Sequence, residues 1–134
     1  MATETLTATH TRRDSRVVWF EIPVADLDRA SRFYGQVLSQ SLNHGQMGPQ
    51  SMAVFPYQQP AISGCLLLVP GHQPTATGVT IYLNADPSLD EALRRVNEAG
   101  GKVVREKTAL PDGMGVFAHI EDTERNRVGL HAMK

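Results

Sequence analysis

The chain writes one pattern twice. WFEIPVADLDRASRFYGQVL, residues 19–38, opens on strand-like alternation and changes at Asp26 to helical spacing. About sixty residues later GVTIYLNADPSLDEALRRVNEAGGKVV repeats the sequence of events. In the first copy Val18, Phe20, Ile22 and Val24 alternate with Trp19 and Glu21. Asp26 is placed as an N-cap, and Ala30, Phe33, Tyr34, Val37 and Leu38 share one helix face. In the second copy Val79, Ile81 and Leu83 alternate, and Ser88 and Glu91 have capping-box spacing. Leu89, Ala92, Leu93 and Val96 line a helix that Gly100 ends. Three short strand-like runs follow each helix. Near 42–47, 51–57 and 61–69 they are divided by Gly-Pro and Gln-Gln-Pro. Near 102–108, 115–121 and 127–133 they are divided by LPDG and DTERN.

This is βαβββ written in tandem, an α+β fold. Each unit leaves one sheet face uncovered, so two units together are expected to form a curled mixed sheet around a cup-shaped cavity, with the helices outside. The expected organisation is a polar, mobile arm over residues 1–15 and a single domain over 16–134. Module one covers about 16–70 and module two about 77–134.

Composition narrows the function classes. The chain has 134 residues, of which 41% are hydrophobic and 20% charged, enough for one ordinary core without staples. A formal net charge of −1 lacks the basic footprint of a nucleic-acid binder, so no nucleic-acid partner is expected. The start, MATETLTATHTRRDSR, has no apolar signal core, and the longest apolar run, CLLLV, is too short to span a bilayer, so no membrane association is expected. The single cysteine, Cys65, lies inside ISGCLLLV and reads as a buried thiol, which suits a cytoplasmic location.

Strand parity selects the residues that face the cup. If Val18, Phe20 and Ile22 face the helix, Trp19 and Glu21 face the cavity. With Val79, Ile81 and Leu83 on the helix side, Thr80 and Tyr82 point inward. On the last strand Val128, Leu130 and Ala132 alternate with Gly129 and His131, and the seventh strand can add Phe117 and His119. Glu21 and His131 are therefore the candidate catalytic groups, and Trp19, Thr80, Tyr82, Phe117 and His119 the candidate substrate-binding wall. The competing structural role for Glu21 is a carboxylate bonded to Trp19, Tyr82 or His131 beneath the cup; for His131 it is an idle, half-wet ring near a strand end. His44 and His72 sit among turn residues and His10 in the arm. Met47, Met52 and Met114 fit core filling or ligand contact equally well. The glycines of EAGG follow a helix and read as its C-cap, not as a phosphate loop. No nucleophile elbow is present.

FEIPVADLDRASRFYGQVL, LDEALRRVNEAGGKVV and EDTERNRVGLHAM resemble the vicinal oxygen chelate superfamily, which includes glyoxalase I, extradiol dioxygenases and bleomycin-binding proteins. The likeness runs from about residue 17 to 133 and lies nearest the glyoxalase-like branch. It implies a small-molecule ligand in the cup and association into a homodimer through module edges. The ligand positions of metal-using members correspond to Trp19, Gly78 and Gly129, with a further place near Gly64. None of these side chains coordinates, so no cofactor is expected and a divalent metal is disfavoured. Glu21 and His131 stand two residues beyond usual ligand positions, as a displaced half-site or as a metal-free acid/base pair. Arg125 replaces the glycine usual in the final turn. Two classes fit: an enzyme of lyase, isomerase or dioxygenase type, and a non-catalytic binder of an antibiotic-like molecule.

Overall fold

The computed structural model describes residues 15–134. The arm expected over 1–15, with His10, lies outside the described residues except for Ser15. The elements are β1 (Trp19–Pro23), α1 (Leu27–Leu38), β2 (Asn43–Met47), β3 (Gln50–Val54), β4 (Ser63–Leu68), β5 (Tyr82–Asn84), α2 (Leu89–Glu98), β6 (Lys102–Ala109), β7 (Val116–Glu121) and β8 (Arg127–Ala132). They form two four-stranded sheets of matching order, β1-β4-β3-β2 and β5-β8-β7-β6. In each, the first strand runs parallel to the last and the other pairs are antiparallel. This is the tandem βαβββ fold, with two mixed sheets that are curled and not closed.

The local signals act as expected. The Asp26 side chain accepts from Arg29 N at 2.9 Å and starts α1, and Ser88 Oγ accepts from Glu91 N at 3.3 Å and starts α2. Gly100 follows α2 at φ +99°, a conformation that favours glycine. The apolar stripes of the two helices meet one shared core, in which Phe33, Tyr34, Val37 and Leu66 of module one join Leu89, Val96, Ile120 and Leu130 of module two. The helices also touch each other, and Arg95 Nε donates to Val37 O at 3.0 Å.

Three expectations need correction. Val18 precedes β1 and is 40% exposed, so the helix-facing row of β1 begins at Phe20. Val79 is 92% exposed, because β5 starts only at Tyr82 and residues 78–80 are not strand. A Cβ on Gly64 would meet Phe20 Cγ at 2.5 Å, so Gly64 faces the helix side with Phe20 and not the cup. A one-residue shift in parity reverses the face, and the repeat alone did not set it to one residue.

The final turn bolts the modules together. Glu124 Oε1 accepts from Ala25 N and Asp26 N at 3.0 Å each, and Arg29 grips the same carboxylate through Nε at 2.7 Å and Nη2 at 2.9 Å. Tyr34 Oη donates to Asp122 Oδ2 at 2.6 Å, and Asn126 Nδ2 donates to Pro23 O at 2.8 Å. Burial acts to raise the Glu124 pKa, but the bonds from Arg29, Thr123 and the Asp26 and Ala25 amides outweigh it and bring it down to about 2. Asp122 shifts the other way: its burial raises the pKa despite the bonds from Tyr34 and Asn126. Within this turn Arg125 sits at φ +70°. An L side chain in that region costs about 1–2 kcal/mol, and glycine returns part of the gain as unfolded-chain entropy. Arg125→Gly is expected to stabilise the fold by about 0.5–1 kcal/mol, read as a higher urea midpoint at unchanged slope.

Candidate functional site

The face of the first sheet that turns away from the helices carries Trp19 and Glu21 beside an apolar floor of Met52, Cys65 and Leu67. Trp19 packs edge-on to Tyr57, centroids 6.4 Å apart. Burial, and next the nearby Glu21 carboxylate, push the Cys65 thiol up to about 11 against a hydrogen bond from Trp19, so it is neither ionised nor a nucleophile at neutral pH. Glu21 itself is exposed and lines a cleft of about 320 Å³ with His72, Thr75, Asn126 and Arg127. Thr80 is exposed and lines a different cleft, near Val17, Phe20 and Ile62.

The same face of the second sheet is aromatic. Tyr82 of β5 stands 6.0 Å from Phe117 and 5.5 Å from His119, and Phe117 and His119 are 5.7 Å apart. Tyr82 Oη lies 2.8 Å from His119 Nε2, and Arg127 Nη2 lies 3.1 Å from His119 Nδ1. The Arg105 guanidinium is 4.9 Å from the Phe117 ring centre, in cation–π position. Desolvation, followed by the positive charges of Arg127 and Arg105, lowers the His119 pKa, so the ring is neutral near pH 7. Tyr82, Leu110, Phe117 and His131 line a cleft of about 340 Å³. His131 Nε2–H donates to Met114 O at 2.7 Å, since a carbonyl only accepts.

The structure thus gathers Tyr82, Phe117, His119 and His131 on one face. It does not bring Glu21 to His131: the two line separate clefts, and no hydrogen bond joins them among the described residues. Sequence reading passed over Arg105, Leu110 and Arg127. Arg127 was legible, since it shares strand parity with Gly129 and His131; Arg105 was not, because β6 shifts register on both sides of it. Of the loop and filler candidates, His44 is exposed on β2, Met52 is buried, and Met114 contributes its carbonyl. The side chain of Met47 lies outside what the structure describes.

The positions tied to metal binding are occupied otherwise. Trp19 offers no lone pair, Gly78 sits in an exposed turn at φ +105°, and a Cβ on Gly129 would lie 2.3 Å from Tyr82 Cδ1. The Tyr82 ring therefore fills the room that a side chain from residue 129 would need. Among the described residues no three His, Cys, Asp or Glu side chains gather as a metal-binding group. No helix among them is long and apolar enough to cross a membrane.

Comparison with known proteins agrees with this architecture. A search of curated proteins gives no significant match. Among solved structures, a glyoxalase/bleomycin resistance protein/dioxygenase domain from Frankia sp. EAN1pec superposes with a TM-score of 0.66 at 20% identity, covering 88% of this chain and 97% of that one. A glyoxalase/bleomycin resistance protein from Albidiferax ferrireducens T118 gives 0.63 at 17%, covering 88% and 98%. The V278E mutant of glyoxalase I from Zea mays gives 0.65 at 18%, covering 86% of this chain, which spans only 45% of the maize chain. At these identities the likeness is one of fold. The family model for the glyoxalase/bleomycin resistance protein/dioxygenase superfamily matches residues 16–130, nearly the whole described chain, and the protein belongs to that superfamily.

Proposed function

We propose that the chain binds a small molecule in its cup, against Tyr82, Phe117 and His131, and that it does so without a resident metal ion. The observation that carries this reading is the cleft itself. Its walls are two aromatic rings, Leu110 and an imidazole, with a single hydroxyl at the edge, a composition suited to a planar apolar ligand held by few polar contacts. Trp19 and Thr80 would extend the wall from the other side of the cup. A thermal-shift screen of thiol conjugates, small 2-oxo acids and polycyclic antibiotics tests the reading. At least one class should raise the midpoint of the wild type, and Phe117→Ala should abolish that rise. A ligand that stabilises both proteins equally would place its site elsewhere.

A second reading, proton transfer by Glu21 to a ligand in its own cleft, draws on the exposed position of that carboxylate on the cup side of β1. Glu21→Gln separates the two: it removes turnover under the second reading and leaves binding intact under the first. The metal-free proposal is tested by elemental analysis after mild dialysis, where less than a tenth of an equivalent of Zn, Ni, Fe or Mn is expected; one equivalent lost on Glu21→Gln would mean a displaced site. A cytoplasmic homodimer completes the proposal. Exposed Tyr57, Leu68 and Val79 offer apolar surface to a second copy, and light scattering at micromolar concentration should return twice the chain mass.

A further inference from the structure

The three-residue chain Arg127–His119–Tyr82 has only one consistent arrangement of protons. A guanidinium has donors and no acceptor, so Arg127 Nη2 at 3.1 Å requires a lone pair on His119 Nδ1. A neutral imidazole with that lone pair carries its proton on Nε2. Nε2–H then donates to Tyr82 Oη at 2.8 Å, and the hydroxyl's own hydrogen has to point away from His119. Tyr82 is 51% exposed and its ring borders the cleft, so that hydrogen is free for a ligand that lies against the ring and reaches its edge.

The charges around this donor have one prevailing sign. Arg105 reaches over Phe117 from β6, and Arg127 stands on β8. Glu121 on β7 is cross-strand from Arg127, with Lys102 Nζ 3.8 Å from its carboxylate. Glu21 shares the neighbouring cleft with Arg127 rather than this one. His131 spends Nε2–H on Met114 O and leaves Nδ1 as its remaining polar atom.

Resting on the binding reading above, we propose that the cleft selects a planar aromatic molecule bearing an anionic oxygen, carboxylate or phenolate, that accepts the Tyr82 hydroxyl. His119 and Arg127 are positioning residues that lock the hydroxyl as a donor, and Arg105 supplies the counter-charge beside the ring. A ligand presenting only a donor at that point meets a second donor and is rejected, since two hydrogens face each other with no lone pair between them.

The probes are 2-naphthoate and its neutral counterpart 2-ethylnaphthalene, with binding followed by naphthalene fluorescence at pH 7. The wild type is expected to bind the naphthoate at least tenfold tighter. Tyr82→Phe should erase that preference while leaving 2-ethylnaphthalene binding within about twofold, because the ring surface is kept. His119→Gln, whose amide can accept from Arg127 and donate to Tyr82, should retain most of the preference, whereas His119→Phe should lose it. A long-range proton–nitrogen NMR spectrum of the imidazole reads the arrangement without any ligand: a neutral Nε2–H tautomer is expected at pH 7. An Nδ1–H tautomer, an imidazolium, or equal binding of the two probes would overturn the proposal with the binding reading intact. Failure of both probes to bind would overturn the proposal, and a thermal-shift screen without any stabilising class would overturn the binding reading as well.

Discussion

Glu124→Gln is expected to lower the unfolding free energy by about 2–3 kcal/mol, the cost of leaving buried polar groups mispaired, since the Arg29 guanidinium is half exposed and stays hydrated. The Glu124 side chain is fully buried against Arg29, and it accepts the amides of Ala25 and Asp26 at the start of α1. A neutral amide keeps the shape but turns one polar end from acceptor to donor. That end then faces the Arg29 donors, and the α1 N-terminus loses its charge partner. Because the folded pKa lies near 2 and the ordinary value is 4.5, the carboxylate's contribution is complete above about pH 4.5. It is lost as the pH falls toward 2. Asp122, whose pKa is raised by burial, contributes with the opposite sign and softens the slope. Chemical denaturation at several pH values checks both parts. Wild-type stability should fall steeply between pH 4.5 and 2, and the Gln variant should show a shallower fall. A variant as stable as the wild type at pH 7 would mean that the bolt between the modules is ornamental.

Gly129→Ala is expected to remove Tyr82-dependent ligand binding by at least tenfold at a cost of only about 1–2 kcal/mol in stability. The added Cβ would lie 2.3 Å from Tyr82 Cδ1 and 2.5 Å from Cε1, distances that force movement. The backbone has little freedom, because Gly129 is paired on both sides, with Tyr82 on β5 and His119 on β7. The Tyr82 ring is half exposed and gives way instead, breaking its 2.8 Å contact with His119. Tyr82→Phe should lose the same hydrogen bond without the steric push, so naphthoate affinity should fall in both variants and further in Gly129→Ala, while 2-ethylnaphthalene binding falls only in Gly129→Ala. Unchanged binding of both probes in Gly129→Ala would show that the ring is not part of the site.

The repeated switch from two-residue to helical spacing was enough to determine the βαβββ tandem, the two helix caps and the apolar stripes. These depend on contacts within a few residues, and each signal sits beside its effect in the chain. Parity likewise sufficed to put Trp19, Glu21, Tyr82 and His131 on the sheet faces that turn away from the helices, because alternation is a local property of a strand. What the chain could not state was distance between strands of different modules. Whether Glu21 meets His131 depends on how two separate sheets are set by a shared core. That placement put the carboxylate beside His72 and Arg127, and the imidazole beside Phe117 and Met114. The polar turn DTERN likewise looked like a surface connection. Only the folded chain brings Glu124 against the amides of Ala25 and Asp26, ninety-nine and ninety-eight residues away. The direction of His119 was decided by a guanidinium eight residues on, across the β7–β8 pair. Long-range polar geometry of this kind leaves no periodic mark in a sequence, because it arises only when the hydrophobic core has fixed the strands in place.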